Sequence, residues 1–106
     1  MLDPEVISMA AHGSGDSLES LSNIGSECAG ALRKAGIAAA ADLRRLGSVE
    51  AAVRIRRALG PDAVCRSRLS ALEGAIRGVR WHLIPKPERD LLWQELERRS
   101  AGENPK

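Results

Sequence analysis

Residues 21–37 read Leu21-Ser22-Asn23-Ile24-Gly25-Ser26-Glu27-Cys28-Ala29-Gly30-Ala31-Leu32-Arg33-Lys34-Ala35-Gly36-Ile37. A tight turn, a short helix and a glycine stop follow one another in that order. Asn23 and Gly25 suit the turn. Ser26 is placed to cap the helix, and Glu27 sits in its first turn, where a carboxylate complements the unpaired N–H groups. Ala29 and Leu32 share one side, and Gly36 is a natural left-handed residue for the helix end. Asp42-Leu43 and Leu46-Gly47 then mark a second short helix that also ends on glycine.

Outward from this unit the apolar period stays helical. Leu18 and Leu21 give one apolar turn before it. After it, Ser48 is expected to cap a helix carrying Val49, Ala52, Val53, Ile55 and Leu59, which Gly60-Pro61-Asp62 breaks. The next helix is expected from about Ala63 to Arg77, burying Leu69, Leu72, Ala75 and Ile76. Gly74 lies inside it at a cost of about 1 kcal/mol relative to Ala, so a neighbouring helix is expected to approach closely there. Pro87 suits the first turn of a final helix, on which Leu91, Leu92, Trp93 and Leu96 form a broad apolar arc. No alternating strand pattern occurs. The expected fold class is all-α, a small bundle of five or six short helices containing a helix-hairpin-helix-like unit. Residues 1–16, broken by Pro4, Gly13 and Gly15, read as a flexible leader, 17–99 as the helical domain and 100–106 as a frayed tail.

Composition agrees with this fold. The chain has 106 residues, enough for one small domain, and no Phe or Tyr, so Leu, Ile, Val and Ala must build the core. Formal net charge is only +2, although thirteen of the sixteen basic residues are Arg, the side chain suited to bidentate phosphate or carboxylate contacts. That balance does not by itself mark a nucleic-acid binder. No apolar run spans a bilayer and no secretory signal pattern opens the chain, so no membrane partner and a cytoplasmic location are expected.

The residues give little to catalysis. Cys28 and Cys65 lack a CxxC partner or a nearby His pair, which supports neither a zinc nor a redox site; both read as reduced, partly buried side chains. Cys28 lies near a helix N-terminus, which can lower a thiol pKa, but a buried structural role is favoured. His12 and His82 have no evident Ser, Cys or paired carboxylate, and no nucleotide-binding fingerprint occurs. No cofactor, no metal and no enzyme activity are expected.

Two surfaces are candidates for binding. In a phosphate-binding hairpin, Asn23, Gly25 and Ser26 would face a backbone phosphate, with Arg33, Lys34, Arg44 and Arg45 as neighbouring cations. The competing reading, which is favoured, is a structural turn capped by Asn23 and Ser26, beside a solvated face with pairs such as Asp42–Arg45 and Glu50–Arg54. The second surface is the final helix, where Leu92, Trp93 and Leu96 are candidate contacts for a protein partner or a second copy. Trp81 is expected to close the core.

Asn23-Ile24-Gly25, Ala29, Leu32, Gly36-Ile37, Asp42-Leu43, Leu46-Gly47 and Val49-Glu50-Ala51, followed by Leu69, Ala71-Leu72-Glu73-Gly74-Ala75-Ile76, Trp81 and Pro85, together resemble the C-terminal domain of the TfoX (Sxy) competence-regulator family. The resemblance covers roughly Leu21 to Leu92. It implies a small helical fold similar to helix-hairpin-helix and SAM-like domains, and a part in regulating DNA-uptake competence or a related transcriptional programme in bacteria. Longer members carry a separate N-terminal domain, whereas about two dozen residues precede the hairpin here, so fold transfers better than function. The expected function is a non-enzymatic interaction domain acting mainly through protein–protein contacts with an unidentified partner or itself. The alternative is sequence-independent binding of duplex DNA.

Overall fold

The computed structural model describes residues 17–103; the expected leader, 1–16, and residues 104–106 lie outside them. Among the described residues the chain is all-helical and without strands. Its five α-helices are α1 (Ser26–Lys34), α2 (Ala40–Leu46), α3 (Ser48–Leu59), α4 (Arg66–Arg77) and α5 (Lys86–Glu103). Single 3₁₀ turns lie at Leu18–Ser20, Pro61–Ala63 and Trp81–Leu83.

Helix α3 is the centre of the bundle. It packs against α1, α2, α4 and α5. Val49, Ala51, Ala52, Val53 and Ile55 are all buried, so most of its circumference is apolar, as a helix with neighbours on several sides requires. The largest fully buried side chains are all Leu or Ile, among them Leu32, Ile37, Leu43, Ile55, Leu72 and Leu96. The core is thus the aliphatic one that the composition demands. Leu59 departs from the expected apolar face: at the end of α3 it is 43 % exposed.

Glycine, not serine, sets two of the helix starts. Gly47, at φ 85°, is the sole link between α2 and α3; its N–H donates to the Leu43 carbonyl at 2.9 Å and its carbonyl accepts from Ala51 at 3.1 Å. A side chain is disfavoured at that φ, which explains the residue type. Ser48 is consequently the first residue of α3, not its cap. Its buried hydroxyl donates to Glu73 Oε1 at 2.6 Å and ties α3 to α4. Likewise Gly25 caps α1, and Ser26 is a helical residue; the Gly25 carbonyl already accepts the first helical hydrogen bond, from Ala29, at 2.9 Å.

Two helix boundaries differ from expectation. α4 begins at Arg66, since Pro61–Ala63 form a separate 3₁₀ turn and Val64 and Cys65 are extended, Val64 with its side chain in the core. α5 continues beyond Arg99, so Ser100–Glu103, expected in the tail, are helical. Ser100 Oγ accepts a 3.0 Å hydrogen bond from Arg56 of α3, which gives this last stretch an anchor.

Candidate interaction surface

The turn before α1 is built around Asn23. Its φ of 71° lies in the left-handed region, which Asn tolerates better than most residues. The side-chain amide reaches the loop after α4 and is used at both ends. Nδ2 donates to the Val79 carbonyl at 2.9 Å, and Oδ1 accepts the Trp81 N–H at 3.1 Å. Gly74 supplies the space. A Cβ there would stand 2.5 Å from Asn23 Nδ2 and 2.6 Å from the Val79 oxygen. The close approach expected at Gly74 therefore comes from a side chain and a loop backbone, not from a neighbouring helix. At Gly25, by contrast, an added Cβ would meet nothing within 4 Å.

The cations near the turn divide into two groups. Arg33 makes a two-pronged pair with Glu19, at 2.9 and 2.8 Å. This hydrogen bonding holds the Glu19 carboxyl down to about 2, and the carboxylate in turn raises the Arg33 pKa. Arg45 pairs with Asp42 at 3.4 Å and Arg54 with Glu50 at 3.1 Å, the two pairs anticipated from spacing. Lys34 and Arg44 are exposed and engage no carboxylate among the described residues.

The final helix turns most of its expected contact arc inward. Leu96 is fully buried, and Leu92 and Trp93 pack, half-buried, against the core. Trp93 lies between the guanidinium groups of Arg56 and Arg66, at 5.3 and 5.2 Å from the ring centre. Trp81, expected in the core, is at the surface instead; it is 36 % exposed, with Arg89 stacked 5.3 Å from its ring centre and His82 edge-on at 6.0 Å. The Trp81 backbone is held by Asn23 in the 3₁₀ turn between α4 and α5, and its ring lies against Arg89 at the surface. On α5 itself Leu91 is left 63 % exposed.

The thiols also divide. Cys28 is buried, and burial pushes its pKa up, opposite to the effect expected of a helix N-terminus. Cys65 is exposed rather than partly buried, at the residue before α4. Both line an open depression of about 450 Å³ with Arg68, Arg80 and Trp81. Among the described residues no group of three or more His, Cys, Asp or Glu side chains is placed to hold a metal, and no helix is long and apolar enough to cross a membrane.

A second surface feature was not singled out by sequence. Two shallow depressions, of about 340 and 310 Å³, meet at Lys34 between α1 and the C-terminal end of α3. Gly30, Ala31, Ala35, Ala58 and Leu59 line them. The signal was available in part: small residues along α1 face the end of α3, where Leu59 follows two arginines.

Residues 14–96 match the TfoX C-terminal domain family. Two solved structures from Listeria monocytogenes are similar. An uncharacterized protein in a triclinic crystal form is 40 % identical, with a TM-score of 0.68, covering 78 % of this chain and 94 % of that one. A protein of unknown function in a tetragonal form is 41 % identical, with a TM-score of 0.66, covering 74 % of this chain and 99 % of that one. Comparison with curated proteins gives no match.

Proposed function

The chain belongs to the TfoX C-terminal domain family, and we propose that it is a non-enzymatic cytoplasmic regulatory domain that works by binding another protein, in the control of DNA-uptake competence or a related programme. One observation supports the choice of protein over nucleic acid. Three of the side chains offered to a phosphate-binding hairpin are engaged internally: the Asn23 amide on Val79 and Trp81, Arg33 on Glu19, and Arg45 on Asp42. Binding DNA there would exchange existing hydrogen bonds and ion pairs for new ones, with little net gain. Exposed Lys34 and Arg44 favour the second reading, duplex DNA held by its backbone.

Fluorescence anisotropy of a labelled duplex separates the two. Phosphate contact predicts saturable binding that weakens steeply between about 50 and 200 mM salt. The protein-binding reading predicts no saturation at micromolar protein, together with one reproducible partner in crosslinking from the native host. Salt-sensitive binding lost in Arg44→Ala would overturn it.

A further inference from the structure

The depressions at Lys34 carry a more specific statement, which rests on the protein-binding reading. Small residues, Gly30, Ala31, Ala35 and Ala58, line them. Leu59 stands at one side, 43 % exposed with no apolar cover. Four cations line the two depressions, Lys34, Arg54, Arg57 and Arg68, but Arg68 is turned largely inward, 20 % exposed and donating to the Ala63 carbonyl at 3.0 Å. The opposing charge among the lining residues is Glu27, whose side chain is 92 % exposed and reaches Arg68 only at 3.9 Å. Arg54 is shared with Glu50, but Lys34 engages no carboxylate among the described residues. Small residues and an exposed leucine beside the open charge of Lys34 and the part-exposed Arg54 complement a segment with apolar side chains on one face and carboxylates on its flanks.

We propose that the groove between α1 and the end of α3 receives an acidic amphipathic segment of a protein partner, with Leu59 as its apolar contact and Lys34 and Arg54 as the charges that select it. The charges orient and select, since exposed rim charges act more on encounter and specificity than on affinity. Leu59 and the exposed Ala58 supply the desolvated contact. A basic segment is excluded by the same rim.

The test uses the full chain, labelled with ¹⁵N, and a synthetic peptide of about 16 residues with leucines at helical i, i+3, i+4, i+7 spacing and glutamates elsewhere. The expected result is saturable amide shifts centred on Gly30, Ala31, Lys34, Ala35, Ala58 and Leu59. The matching peptide with lysines for glutamates should leave them unmoved. Leu59→Glu should weaken binding about tenfold or more and Lys34→Glu about threefold, both leaving the rest of the amide spectrum in place, and Arg44→Ala should do neither. Shifts centred on Trp81, Leu83 or Leu91, equal binding of the lysine peptide, or no shift at millimolar peptide would each overturn the proposal. So would concentration-dependent shifts of the same amides without peptide, which would put a second copy in the groove. A crosslinked partner whose footprint lies elsewhere removes the groove and keeps the protein-binding function; salt-sensitive duplex binding with no partner removes both.

Discussion

Asn23 and Gly74 fit only as a pair: the Asn23 amide nitrogen occupies the position 2.5 Å from where a Cβ on Gly74 would lie. One is in the turn before α1 and the other in the last turn of α4, so their contact closes the first half of the domain onto the second. Gly74→Ala ought to gain about 1 kcal/mol from helix propensity alone. The expected outcome is the reverse, a net loss of about 1–3 kcal/mol in urea unfolding, because the added methyl also meets the Val79 carbonyl, which is backbone. For the same reason trimming Asn23 should not rescue the substitution, and a double-mutant cycle should show little recovery.

Asn23 itself does two jobs that substitution can separate. Asn23→Gly keeps the left-handed backbone and loses two hydrogen bonds, for a loss of about 1–3 kcal/mol. Asn23→Ala loses the same bonds and adds about 1 kcal/mol of backbone strain. Alanine should therefore be worse than glycine in thermal unfolding. Equal melting temperatures would mean that the turn relaxes out of φ 71° once the amide is gone.

These contacts mark where sequence reading reached and where it stopped. Helices and their glycine ends were legible because both depend on local chemistry: apolar spacing, and a positive φ at Gly36 and Gly47. The pairs Asp42–Arg45 and Glu50–Arg54 were legible because three or four residues place side chains together on any helix. What Asn23 does was not legible, since its partners lie 56 and 58 residues away. The exchange of roles between Trp81 and Trp93 has the same origin. Trp81 is fixed through its N–H on Asn23, and Trp93 by guanidinium groups from α3 and α4, all distant in sequence.

Arg56 joins three elements from a side chain that is only 14 % exposed. It donates to the Val64 carbonyl, to Glu97 and to Ser100, and it lies over Trp93. Arg56→Ala is expected to cost about 2–4 kcal/mol, through lost hydrogen bonds and lost packing on the ring. Arg56→Lys should recover little, because an ammonium cannot span the same acceptors as a planar fork. Chemical unfolding of both variants, followed by Trp fluorescence, measures this directly. A lysine variant as stable as the parent would reduce Arg56 to a surface charge.

Acid should weaken the fold through two exposed carboxylates. Hydrogen bonds from Arg33 hold Glu19 down to about 2, and those from Arg98 and Arg99 hold Glu95 down to about 2, against an ordinary 4.5. A carboxyl whose pKa is lowered on folding stabilises the folded state above its unfolded value, and that contribution is lost as pH falls through the folded one. The melting-temperature gap between the parent and Glu19→Gln should thus be full above pH 4.5, shrink below it and close near pH 2. Both pairs are open to solvent, so added salt should narrow the gap at neutral pH.

The two thiols should react in a fixed order. Cys65 is exposed and Cys28 is buried, with burial pushing the Cys28 pKa upward. Alkylation proceeds through the thiolate, so a raised pKa and lack of access both slow Cys28. In the native state a thiol reagent should label one equivalent quickly, and Cys65→Ser should abolish that phase. The second equivalent should appear far more slowly, because Cys28, although it borders the depression, is 8 % exposed and packed among the core side chains of α1. Gly74→Ala and Asn23→Gly weaken the contact that holds the turn before α1, so both should speed the slow phase and leave the fast one unchanged. Two equivalents labelled at one rate in the folded protein would show that α1 does not seal Cys28 from solvent.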